Sequence, residues 1–120
     1  MMLTIYHNPR CSKSREALAW MQAYAQEHGR RLEVIEYLKD PPDRRRLQEL
    51  QAALGCGMSD MVRSSEEAYR ALGLQHADDA ALLDALATHP ELLQRPIVVT
   101  GDRALIARPP TLLEDFFGWR

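Results

Sequence analysis

The opening of the chain changes hydrophobic period twice within its first 37 residues, and that change constrains the fold more than any other feature. Leu3-Thr4-Ile5-Tyr6 alternates apolar and polar side chains and runs into Asn8-Pro9, the pattern of a short strand entering a turn. From about Ser12 the period becomes helical: Ala17, Leu18, Met21, Tyr24 and Ala25 share one face at spacings of three and four, and Gly29 supplies the stop. Residues 32–37, Leu-Glu-Val-Ile-Glu-Tyr, alternate again before Pro41-Pro42 ends the pattern. A strand, a helix and a strand in this order predict a βαβ unit with parallel strands and a right-handed crossover.

The middle of the chain reads as helical. Leu47, Leu50 and Leu54 share a face that ends at Gly55, a second stretch covers Glu66 to Leu72 before Gly73, and a third carries Leu82, Leu83 and Leu86 and stops before Pro90. After Arg95-Pro96 the β-branched run Ile97-Val98-Val99-Thr100 predicts a buried strand. Gly101-Asp102 is a turn signal, Ala104-Leu105-Ile106-Ala107 is the returning strand of a hairpin, and Leu112, Leu113, Phe116 and Phe117 mark a last amphipathic helix. The order β-α-β, helical block, ββ-α predicts an α/β, thioredoxin-like fold with a four-stranded mixed sheet. Residues 1–120 are expected to form one domain with a helical insertion at about 43–93.

Charge and composition narrow the function classes. A formal net charge of -2 argues against nucleic acid as the main partner. No apolar run approaches the roughly 20 residues that a membrane span needs, and the first residues lack a charged segment followed by a long apolar one. The two cysteines, Cys11 and Cys56, are therefore expected to be reduced thiols of a soluble cytoplasmic protein, with no disulfide framework, bound metal or resident cofactor.

The chemistry concentrates in His7-Asn8-Pro9-Arg10-Cys11-Ser12-Lys13-Ser14-Arg15. Cations are disfavoured at a helix start, yet Arg10, Lys13 and Arg15 cluster there with no carboxylate before Glu16. That excess suits an anion, and the same field of helix N–H groups, hydroxyls and cations favours a cysteine thiolate. Cys11 is thus the candidate nucleophile. Cys56, between Gly55 and Gly57 with no basic neighbour and no CxxC partner, reads as structural. His7 either fills space at the strand end or acts on Cys11 through hydrogen bonding or charge. Arg63, Arg95 and Arg108 would each pass as surface residues taken singly. Thioredoxin-like topology, however, sets the turn before the third strand opposite the first βα turn. Arg95 is therefore expected near Cys11, with Pro96 in the cis form. Guanidinium groups around a thiolate would suit a tetrahedral oxyanion.

Ile5 to Arg15, Tyr37-Leu38-Lys39-Asp40-Pro41-Pro42 and Arg95-Pro96-Ile97-Val98-Val99 together resemble the glutaredoxin-coupled arsenate reductases, a branch of the thioredoxin-like superfamily. The likeness runs from residue 3 to about 117. Its Cys-Ser-Lys-Ser motif, with Ser12-Lys13 where better-known members carry Gly-Thr, is closest to the reductase-like subgroup. The resemblance implies a monomer in which Cys11 attacks arsenate, assisted by His7 and Ser14, while Arg63, Arg95 and Arg108 hold the oxyanion and Arg15 and Pro96 support the site. It also implies glutathione as co-substrate and glutaredoxin as partner, because a motif with one cysteine needs an external resolving thiol. Two other readings remain: a monothiol reductase of glutathione mixed disulfides, and an RNA polymerase-binding regulator like a redox-sensing relative. Ser14, standing where that relative has its second cysteine, rules out a disulfide switch within the motif.

Overall fold

The computed structural model describes residues 2–119. In chain order its main elements are β1 (Leu3–His7), α1 (Ser12–Glu27), β2 (Leu32–Glu36), α2 (Arg44–Leu54), α3 (Glu67–Ala71), α4 (Asp79–Thr88), β3 (Ile97–Thr100), β4 (Arg103–Ile106) and α5 (Leu112–Phe117). Short 3-10 turns cover Met58–Met61, Leu74–His76 and Pro90–Leu92. The chain divides into two compact units: one formed up to Tyr37 and again from Arg95, the other by Leu38–Gln94.

The first unit carries a four-stranded sheet in the order β2-β1-β3-β4. β1 runs parallel to β2, from Leu3 opposite Leu32 to His7 opposite Glu36. It runs antiparallel to β3, from Leu3 opposite Thr100 to Tyr6 opposite Ile97. This is the thioredoxin-like arrangement. The two central strands are buried on both faces, which is why Leu3, Ile5, Tyr6, Ile97, Val98 and Val99 are nearly all apolar. Against the sheet α1 lays Ala17, Met21, Tyr24 and Ala25, joined by Ala107 and by Leu113 of α5. Leu18, expected on the same face, is only partly buried at the margin of this cluster. There Trp20, Tyr24, Phe117 and Trp119 pack ring on ring, with Trp20 and Tyr24 stacked at a centroid distance of 5.4 Å.

The hairpin begins one residue earlier than the sequence pattern suggests. Gly101 takes φ +61°, and the two-residue turn Gly101-Asp102 sets Arg103 directly opposite Thr100, so pairing starts there. β2 likewise stops at Glu36.

The second unit is the helical block. Asp43 caps α2 by accepting the Arg46 N–H at 2.8 Å, and Asp78 caps α4 by accepting from Ala81 at 2.9 Å. Leu47 and Leu50 of α2 and Leu82, Leu83, Ala85 and Leu86 of α4 are buried, while Leu54 is only half-buried. The two helices pack on each other, and Arg44 is ion-paired to Asp84. α3 buries none of its residues. Among the described residues, no helix is long and apolar enough to cross a membrane.

Truncating the fully buried Leu50 to alanine should cost about 2–5 kcal/mol. Asp43→Ala should cost about 1 kcal/mol by leaving the Arg46 N–H uncapped. Urea midpoints of the two variants test both values, and Asp43→Asn, which keeps a capping oxygen, should lie close to the parent.

Candidate active site

β1 ends where α1 begins, and the four residues between them form a closed turn. The Cys11 N–H donates to the Asn8 carbonyl at 3.0 Å, and the Arg10 N–H donates to Asn8 Oδ1 at 3.0 Å. Arg15 reaches back from the helix and donates to the Pro9 carbonyl at 2.9 Å. Cys11 is thereby set in extended backbone, φ -96° and ψ 122°, as the N-cap residue of α1.

Ser14, fully buried in the first turn of the helix, fastens that turn to the strand. Its oxygen accepts the Asn8 N–H at 3.0 Å and lies 2.7 Å from Nδ1 of His7. His7 is itself almost completely buried. Burial pushes its pKa below the ordinary histidine value, the nearby Arg15 adds to that, and the Glu36 carboxylate works against both. A neutral ring with its proton on Nε2 accepts the Ser14 hydroxyl proton on Nδ1. The other tautomer would leave that proton without an acceptor among the described residues. The sequence left His7 between space-filling and hydrogen bonding; in the structure it hydrogen-bonds to Ser14.

Cys11 is half-buried. Burial by itself pushes its thiol up, but the Ser14 N–H, the Arg95 guanidinium, the Lys13 N–H and the Arg108 guanidinium together outweigh it. The net effect sets the thiol below its ordinary range. Arg108 Nη1 lies 3.7 Å from the sulfur and also donates to the Arg95 carbonyl at 3.4 Å. Nε of Arg95 is buried and has no hydrogen-bond partner among the described residues. The Arg95–Pro96 peptide is cis, as expected, and so is Arg108–Pro109, which the sequence did not signal.

One unit of the chain therefore holds Cys11, His7, Ser14, Arg15, Arg95, Pro96 and Arg108. Arg63 belongs to the other unit, where its guanidinium is ion-paired with Glu66 at 2.9 Å. Cys56 also lies there, and its thiol is displaced in the opposite direction, pushed up first by burial and then by Asp60. The residue at this turn that the sequence did not signal is Asn8, which holds three hydrogen bonds there. Its Asn-Pro pair signals a turn, but nothing in the sequence indicates that its amide and main chain hold three partners.

The matches to known proteins show the family of the chain. The model of the ArsC family matches residues 6–116. An arsenate reductase of Neisseria meningitidis serogroup A is 43% identical over 110 residues, covering 89% of this chain and 91% of the relative. The YfgD protein of Escherichia coli K12 is 39% identical over 117 residues, covering 95% of each chain. The solved structure of an arsenate reductase from Vibrio cholerae superposes with a TM-score of 0.84 at 41% identity, covering 96% of this chain and 97% of that one. With a family match across nearly its whole length and a thioredoxin-like sheet that aligns with its solved relatives, the chain belongs to the ArsC family.

Proposed function

We propose that this chain is a thiol-dependent arsenate reductase with Cys11 as its nucleophile. The observation that carries this reading is the pair of guanidinium groups, Arg95 and Arg108, facing a sulfur whose thiol is held below its ordinary range. A thiolate is the reactive form of cysteine, and arginines beside it suit a tetrahedral oxyanion that can be gripped by two oxygens at once. Arsenate-reducing relatives about 40% identical over most of their length support the choice of substrate.

The proposed chemistry balances with two thiols. The Cys11 sulfur attacks arsenic(V) and forms an S–As bond, and one arsenate oxygen takes up protons and leaves as water. Arg95 and Arg108 hold the remaining oxygens as charge builds on them. A glutathione thiolate then attacks the Cys11 sulfur. The S–As bond breaks with its electron pair passing to arsenic, which leaves as arsenite, and a Cys11–glutathione disulfide remains. Glutaredoxin reduces that disulfide. An external thiol is needed because Ser14 occupies the position three residues after Cys11 where a CxxC motif has its second sulfur.

Purified protein supplied with glutathione and glutaredoxin should reduce arsenate, and Cys11→Ser should lose the activity entirely. A wild-type protein that turns over a glutathionylated thiol but leaves arsenate unchanged would establish the mixed-disulfide reductase instead.

The depressed thiol sets the sign of a pH effect. The thiolate persists below the ordinary cysteine range and is lost only as pH falls through the lowered pKa. Iodoacetamide alkylation of Cys11 should therefore stay fast near pH 7. Arg108→Ala should move the alkylation midpoint upward and lower kcat/KM for arsenate by about 10²-fold, as loss of one oxyanion contact typically does. An unmoved midpoint in that variant would show that Arg108 does not act on the sulfur.

A further inference from the structure

The first N–H groups of α1 pose a question that the oxyanion site does not answer. Arg15 N–H is the first to bond within the helix, to the Cys11 carbonyl at 3.0 Å, so those of Ser12, Lys13 and Ser14 have no helical acceptor. A capping side-chain oxygen normally takes one of them. Here the N-cap is a cysteine with no capping hydrogen bond, and Ser14 turns its own hydroxyl away toward His7 and Asn8. A neutral thiol is a poor acceptor, whereas a thiolate is a good one. The N–H groups thus serve the sulfur only if residue 11 is held where its side chain points at them.

Asn8 does that holding through three separate groups. Its carbonyl takes the Cys11 N–H, its side-chain oxygen takes the Arg10 N–H, and its own N–H goes to the buried Ser14 hydroxyl, each at 3.0 Å. The side chain is almost fully buried. We propose that Asn8 is the positioning residue of the Cys11 site, its side-chain amide locking the Asn8–Cys11 turn that holds the sulfur at the N-cap of α1. The proposal rests on Cys11 being the nucleophile but not on arsenate being its substrate. The charged and titratable groups around the site are His7 on β1, Glu36 beside it on β2, Arg10 in the turn, Lys13 and Arg15 on α1, Arg95 before β3 and Arg108 after β4. Changing Asn8 removes none of these charges; it frees the Arg10 N–H.

The test is the pH dependence of Cys11 alkylation in the wild type, Asn8→Ala, Asn8→Ser and, as a control in the helical unit, Asp43→Ala. Asn8→Ala should raise the midpoint by about half a unit, which leaves roughly threefold less thiolate at pH values below it. Asn8→Ser, whose hydroxyl can accept the Arg10 N–H, should recover most of that shift. Asp43→Ala should lower the urea midpoint of unfolding without moving the thiolate midpoint. Asn8→Ala that loses stability with its thiolate midpoint unmoved, or alanine and serine variants shifted alike, would overturn the proposal. Should Asn8→Ala fail to fold, amide exchange in the wild type decides. A protected Arg10 N–H supports the locked turn, and exchange at the unprotected rate refutes it. Alkylation requires no arsenate, so a wild type inactive on arsenate would retire the substrate while leaving the Asn8 result readable.

Discussion

The N–H groups at the start of α1 need negative charge, and the structure is arranged so that Cys11 supplies it. No acidic side chain stands in that first turn, and the cations Lys13 and Arg15 lie there against the preference of the helix dipole. A neutral cap would leave this turn both uncapped and repelled by its own cations. An ionised sulfur at the N-cap answers both problems. The N–H groups of Lys13 and Ser14, which go uncapped beside a neutral thiol, are among the groups that favour the reactive form of the cysteine, together with Arg95 and Arg108. The local penalty and the chemistry therefore share one cause, as is common where a functional site breaks a rule of local structure.

Sheet topology explains why arginines so distant in sequence join that sulfur. β1 and β3 are antiparallel neighbours, with Tyr6 opposite Ile97, so the end of β1 lies beside the beginning of β3. β3 and β4 are also antiparallel, with Ile97 opposite Ile106, which brings the end of β4 to the same end of the sheet. Cys11 follows the first of these termini, Arg95 precedes the second and Arg108 follows the third. Nucleophile and cations thus come from loops, while their relative positions are set by the ladder of a sheet whose central strands are buried on both faces. The contact of Arg108 with both the Cys11 sulfur and the Arg95 carbonyl is the local expression of that geometry.

Much of this was legible in the sequence because it rests on short-range pattern. The change from period two to period 3.6 and back marks β1, α1 and β2. The β-branched run from Ile97 marks a buried strand, and the run of basic residues around Cys11 marks a site that defies the dipole. Features that depend on how far a side chain reaches across a turn or a margin were not legible. Leu18 and Leu54 share the apolar period of their helices, yet both sit where the packed face gives out and stay partly exposed. The capping roles of Asp43 and Asp78 are local, but those of Asn8 and Ser14 require the strand end and the helix start to be already apposed. Periodicity carries no information about that apposition. The ion pair of Arg63 with Glu66 belongs to the same class, a matter of rotamer rather than pattern.

The two cysteines separate burial from chemical environment. Both are half-buried, and burial alone would raise both thiols. At Cys56 the next influence is the Asp60 carboxylate, which repels a thiolate and raises the thiol further. At Cys11 two main-chain N–H groups and two guanidinium groups reverse the sign. A half-buried sulfur is therefore not reactive by position, and the difference lies in which groups the backbone turns toward it. Cys56 follows a left-handed glycine that ends a helix, where the free groups are carbonyls; Cys11 begins a helix, where the free groups are N–H. Each residue meets the pole of a helix whose free groups match its role. Among the described residues, Cys11 alone of the two cysteines sits at the amide pole of a helix, and the geometry that lowers its thiol is not repeated at Cys56.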